Sequence, residues 1–187
     1  GVQTCALPIY LNIADCSSFS NIGMAHIQNG VTKLKNIKSV KLNLRKCKNI
    51  SDRGAKEFRN SFLNYRQLEA FDINCCSNNN ISDATLRNIR DSIGKSRSLK
   101  SFKANIKKCR EISAEGFEYL KDFLSRMTTL RLFSLNCSSN NELTDKALHL
   151  LGEGIKQLEL LRVLKFSLKK CTAMSNEGFS AFFDSIK

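Results

Sequence analysis

Cys16, Cys47, Cys109 and Cys171 fall in one phase of a 31-residue period along this 187-residue chain. Thiols at a fixed interval can ligate a metal, act as nucleophiles, pair as disulfides or serve as small buried donors. Tetrahedral zinc needs four converging ligands, commonly from CxxC pairs or neighbouring histidines. The chain has no CxxC, and its two histidines, His26 and His149, stand away from the cysteine positions. One thiol per period cannot place four ligands around one ion. Asn78 and Asn140 occupy the same phase as the four cysteines. Exchange between Cys and Asn keeps a hydrogen-bond donor and discards thiol chemistry. Cys16, Cys47, Asn78, Cys109, Asn140 and Cys171 therefore read as structural pegs in a repeated scaffold. Cys16 and Cys47 stand in adjacent repeats, where an oxidised pair is also compatible with the spacing; in a reducing compartment free thiols are expected.

No other chemistry stands out. GxSxG, P-loop, GxGxxG and HExxH patterns are absent, and no paired carboxylates share a face. The expectation is a protein that is not an enzyme and has no cofactor and no metal.

Composition bounds the class. With 42% hydrophobic residues, one Pro and 9 Gly, the chain suits a folded domain with ample apolar surface to bury. Eight cysteines in 187 residues do not form a secreted disulfide framework, because such frameworks belong to chains under about 80 residues with small cores. No apolar run approaches the roughly 18 residues of a membrane span, and no basic then apolar leader is present. A soluble, cytoplasmic protein without a membrane partner is expected. The net charge of +13, from 30 Lys+Arg against 17 Asp+Glu, favours acidic partners.

The elements that must position the pegs follow from the same period. An apolar residue followed by Ser or Thr recurs at Phe19-Ser20, Ile50-Ser51, Ile81-Ser82, Ile112-Ser113, Leu143-Thr144 and Met174-Ser175, with 31 residues per step and no insertion. Ahead of each anchor runs an alternating pattern such as Ile37, Val40, Leu42, Leu44 or Leu99, Phe102, Ala104, Ile106, which predicts a short strand with one buried face. Cys75 and Cys137 fall in this aliphatic pattern, as small hydrophobes. After each anchor the spacing becomes helical: Ala55, Phe58, Phe62; Leu86, Ile89, Ile93; Phe117, Leu120, Leu124; Leu148, Leu151, Ile155. Ser51 or Asp52 is placed to cap the second helix. One strand, a tight turn and one helix cannot bury their own apolar faces, so neighbouring units must stack into a curved α/β solenoid with parallel strands inside and helices outside.

The pattern LxxLxLxLxx(C/N)xx(I/L)(S/T), with a helix in every unit, resembles the ribonuclease-inhibitor-like class of leucine-rich repeat proteins. The LxLNL strands and 31-residue unit are most similar to the large sets of such proteins in ciliates and other protists. The resemblance covers residues 10–187 and implies a horseshoe of about six repeats that binds a protein on its concave sheet face. "CKNISDRG" at 47–54 also resembles the CxxITDxG of cysteine-type repeats in F-box proteins, which implies as an alternative a substrate-recognition arm of a ubiquitin ligase, although those repeats are shorter and no F-box is present. A third alternative, by fold analogy alone, is a regulator of a small GTPase.

Residues between the apolar strand positions must face the open side of the sheet. One row reads Asn12, Asn43, Asn74, Asn105, Asn136, Ser167; a second reads Lys41, Asp72, Lys103, Ser134, Lys165; a third reads Arg45, Cys76, Lys107, Ser138, Lys169, with Lys46, Lys108 and Lys170 beside it. The asparagines form either a ligand-binding surface or a ladder of amides bonded to one another. The basic residues return every 62 residues. That alternation separates like charges that would repel at about 4.8 Å, or it forms an electropositive stripe for an acidic protein segment. Nucleic acid is the weaker candidate, because Phe71, Phe102 and Phe133 fall in buried positions and are withheld from base stacking. Lys56, Arg59, Arg87 and Arg90 on the helices spread basic charge beyond one groove.

The ends carry their own expectations. "GVQTCALPI" resembles the translation of a sequencing adapter, so residues 1–9, with Cys5 and Pro8, are expected to be foreign to a leucine-rich-repeat domain spanning 10–187. That domain is expected to be an uncapped fragment, with Phe179, Phe182 and Phe183 in its last helix, and to self-associate through apolar end faces.

Overall fold

The computed structural model describes residues 8–34, 36–62 and 65–187; the side chain of Phe58 and Cys5 lie outside what is described. It consists of six units of strand and helix: β1 Pro8–Asn12 and α1 Asn21–Val31; β2 Ser39–Asn43 and α2 Asp52–Phe62; β3 Ala70–Asn74 and α3 Asp83–Ile93; β4 Ser101–Asn105 and α4 Ala114–Leu124; β5 Leu132–Asn136 and α5 Asp145–Ile155; β6 Val163–Ser167 and α6 Asn176–Ser185. The strands form one parallel sheet in chain order. A helix between successive strands is the crossover that parallel pairing requires. Register follows the period, so that Val40 opposes Phe71, Phe71 opposes Phe102 and Phe102 opposes Phe133.

The core lies between sheet and helices. Within β2, Val40 and Leu42 are buried while Lys41 between them is exposed, as side chains that alternate across a strand must be. Ala55 and Phe62, and the expected faces of α3, α4 and α5, are buried against them. Phe71, Phe102 and Phe133 stack in parallel through the middle of the core, with centroids 6.2 and 6.0 Å apart, and Phe123 from α4 tilts onto Phe102 at 4.8 Å. Burial of each such ring contributes about 1.5–3 kcal/mol. At the last repeat Leu164, Phe166 and Leu168 are half-buried and Phe183 is exposed, whereas Phe182 is buried.

The strand leaves the sheet through one residue with φ between 58 and 63° in every repeat: Asp15, Lys46, Ser77, Lys108, Ser139 and Lys170. None is glycine. The left-handed conformation aims the N–H along the solenoid, where Asp15, Lys46, Ser77, Lys108 and Ser139 each donate to a carbonyl of the next repeat at 2.8–3.0 Å. These bonds offset the modest cost of a positive φ in a non-glycine residue.

Ser51 caps α2, its hydroxyl accepting the Arg53 N–H at 3.3 Å. Asp52, the alternative cap, acts elsewhere. Its carboxylate accepts the Ser82 N–H, the Ser82 hydroxyl and the Thr85 hydroxyl at 3.0, 2.6 and 2.7 Å, tying one helix start to the next. Asp83 and Asp145 hold Ser113 and Ser175 in the same way. Those serine bonds also hold the Asp145 carboxyl below its ordinary value. Thr85 fills the facing position at the Asp52 tie, whereas glycine fills it at the other two: a Cβ on Gly116 would stand 2.3 Å from Asp83 Oδ1, and one on Gly178 would stand 2.1 Å from Asp145 Oδ1. Where the carboxylate is replaced by Ala114, the facing position is Ala147.

Candidate protein-binding face

Strand alternation and parallel register together build the open face. Lys41, Asp72, Lys103, Ser134 and Lys165 oppose one another in successive pairs and form one row across β2 to β6. Lys41, Lys103 and Lys165 are exposed, while Asp72 and Ser134 are half-buried. Asp72 stands in register between two lysines without an ion pair to either among the described residues. Tyr10 precedes Lys41 in the row, and the Lys41 ammonium sits 5.2 Å from the ring centroid.

The asparagine row is not a ladder of mutually bonded amides. Each Oδ1 turns back onto its own chain and accepts the N–H two residues on: Ala14 to Asn12, Arg45 to Asn43, Cys76 to Asn74, Lys107 to Asn105 and Ser138 to Asn136, at 3.1–3.3 Å. A backbone N–H must face an oxygen, so this bond fixes the orientation of every amide. The five NH2 groups are left without a partner among the described residues. The groove floor is therefore a row of unpartnered NH2 donors, each beside an oxygen that already accepts one bond from its own chain.

Beneath the face lie the peg positions. Cys47, Asn78, Cys109, Asn140 and Cys171 donate to Ile13, Leu44, Cys75, Ile106 and Cys137 carbonyls at 2.9, 2.9, 3.1, 3.1 and 3.3 Å. Each acceptor belongs to the preceding repeat, so the bond couples neighbours. Cys16, in the first repeat, is exposed. Among the described residues every cysteine is a free thiol. Burial raises the thiol pKa of Cys47, of Cys75, of Cys137 and, to about 12, of Cys109. They remain S–H donors at neutral pH and are poor nucleophiles. No group of three or more His, Cys, Asp or Glu able to hold a metal ion occurs among the described residues. No helix there is long and apolar enough to cross a membrane.

No family model and no curated protein matches the sequence. Among solved structures, the tropomodulin C-terminal domain from Caenorhabditis elegans is similar at a TM-score of 0.58 and 17% identity, covering 87% of this chain and 90% of that one. The fold is a leucine-rich-repeat solenoid. A complex of Rad7 and Elc1 in yeast is similar at a TM-score of 0.41 and 16% identity, over 97% of this chain and 61% of that one.

The third row lies at the edge of the solenoid where strands turn into helices, and here the repeats differ. Arg45 and Lys46 both reach the Asp15 carboxylate of the preceding repeat, Lys46 at 3.4 Å. Their counterparts Lys107 and Lys108, and Lys169 and Lys170, have no carboxylate partner among the described residues. The residues that correspond to Asp15 before those pairs are Ser77 and Ser139. Asp15 and Ser139 escaped the sequence reading as parts of the site. A signal for them existed, since they share the left-handed turn position with Lys46, Lys108 and Lys170. On the helical side, Arg90 pairs with Asp91 and Asp122, and Arg59 lies 4.0 Å from Asp91. Part of the helical charge of the leucine-rich-repeat solenoid is thereby neutralised, while the lysines of the open face are not.

Proposed function

We propose that this chain is a non-enzymatic protein-interaction module that receives a partner with an acidic surface on its concave sheet face, through Lys41, Asn43, Arg45, Asp72, Asn74, Lys103, Asn105, Lys107, Ser134, Asn136, Lys165 and Lys169. The observation that carries the reading is the asparagine row, in which each oxygen accepts a bond from its own chain and the NH2 groups have no partner among the described residues, beside a row where Lys41, Lys103 and Lys165 are exposed. A surface of donors and cations calls for a ligand of acceptors and anions. Fixed strands lose little conformational entropy when such a ligand arrives. The pegs beneath act as inter-repeat locks rather than as chemistry.

A pull-down from cell extract tests the face, comparing the wild-type chain, Lys41→Glu/Lys103→Glu/Lys165→Glu and a helical-side control, Lys56→Glu/Arg87→Glu. A partner held by wild type and control and lost by the triple variant is the expected result. Equal retention by all three would move the binding surface off the sheet.

A further inference from the structure

The lysine pairs left without a carboxylate frame a second feature. Lys107, Lys108, Asn136, Ser138, Ser139, Ser167, Lys169 and Lys170 line one open concavity of about 340 Å³ at the turn edge of the last three repeats. Four of its lining residues are lysines, and no acidic residue lines it. Between the two lysine pairs lie the short Ser138 and Ser139. The pairs stand two strands apart, about 9.6 Å at the backbone, and long lysine side chains close such a gap around an anion seated over the serines.

Donors dominate this concavity. The Asn136 oxygen is taken by the Ser138 N–H, so its NH2 faces outward. The Ser139 hydroxyl has no partner among the described residues, and the Ser138 and Ser167 hydroxyls share one bond at 2.9 Å. A carboxylate offers two oxygens and one charge, which four ammonium groups and these donors exceed. A phosphoryl group offers three terminal oxygens and up to two charges, and suits them.

The first repeats supply an internal comparison. There the same turn position carries Asp15, which neutralises Arg45 and Lys46. Asp15 and Ser139 share φ near 60°, so the backbone accommodates a carboxylate at that place, and the chain has serine before the later two pairs instead. We infer that Lys107, Lys108, Lys169 and Lys170, with Ser139 and Asn136, form a phosphoryl-binding site at the turn edge. The phosphoryl group belongs either to a phosphorylated segment of the protein partner, in which case the site rests on the concave-face reading above, or to a free phosphate compound.

Site-resolved NMR titration of the 187-residue chain tests this with inorganic pyrophosphate, a Gly/Ser peptide carrying two phosphoserines, and the unphosphorylated twin. Saturable amide shifts are expected at 107–108, 138–139 and 169–170 and not at 45–46, with no response to the twin. Two variants should each weaken pyrophosphate by about tenfold or more: Lys107→Gln/Lys169→Gln, which removes cations, and Ser77→Asp/Ser139→Asp, which closes both pairs as Asp15 closes Arg45 and Lys46. Tighter binding of the phosphoserine peptide than of pyrophosphate assigns the group to a protein segment, and the reverse assigns it to a free compound. Shifts spread equally over all lysines, or unchanged affinity in both variants, overturn the site. Loss of partner capture in the triple glutamate variant with no phosphoryl binding here would leave the concave-face reading standing and this one refuted.

Discussion

The turn at Asp15, Arg45 and Lys46 and the turns at Lys107–Lys108 and Lys169–Lys170 share one left-handed lysine, and Lys46 and Lys108 both donate their N–H to the next repeat. They differ in Arg45, where both later turns have lysine, and in the residue one repeat before the left-handed lysine. Asp15 closes the first turn into an ion-paired clamp, and Ser77 and Ser139 leave the later two open. A solenoid whose repeats contact only their neighbours can vary chemistry at one turn without disturbing the rest. Function in such a chain is to be sought where the repeats disagree.

The comparison requires a common scaffold, and the scaffold should break in both regions. Asn140→Ala leaves the Ile106 carbonyl unpaired and opens a void, and should lower stability by about 2–3 kcal/mol in chemical denaturation. Cys47→Ala, the same peg beside the closed turn, should cost about 1–2 kcal/mol, since a thiol is the weaker donor. Equal costs would mean that the peg bond contributes little beyond packing.

At the helix starts the same dependence on a facing residue should appear as coupling. Gly116→Ala meets Asp83 and should destabilise by about 1–3 kcal/mol. Adding Asp83→Ala recreates the Ala114–Ala147 pairing and should recover most of that loss in a double-mutant cycle. Absence of recovery would show that the strain arises from the backbone.

Asp15→Asn opens the first turn by removing its carboxylate charge. Exposed ion pairs are weak, so stability should fall by less than about 1 kcal/mol. The freed Arg45 and Lys46 should then respond to pyrophosphate in the NMR titration as the later turns do. Silence at 45–46 in this variant would show that the charge pair alone does not make the site.

The smallest effect concerns pH. Burial raises Cys109 from 9.0 to about 12. A group whose folded pKa is raised stabilises the fold fully below its unfolded pKa, and that stability is lost as pH climbs toward the folded value. Denaturation midpoints should therefore decline between about pH 9 and pH 12, and Cys109→Asn, which keeps a donor that does not titrate, should decline less. Identical pH profiles would remove the buried Cys109 thiol from the account.

Much of this molecule was legible in its sequence because a repeat states each requirement six times. The 31-residue phase, the alternating strand positions and the helical faces of Leu86, Ile89 and Ile93 or Phe117, Leu120 and Leu124 report which side chains must be buried, and burial depends on local periodicity. The rows of the open face were readable for the same reason. What the amides do was not. Whether Asn43 bonds to Asn74 or to its own Arg45 N–H, and whether Asp52 caps its own helix or clamps Ser82, depends on where a polar group finds its partner in space. The Asp15 clamp belongs with them. Side chains one repeat apart meet only after the left-handed turns bring them together, so tertiary structure alone decided which cations are neutralised and which stay open.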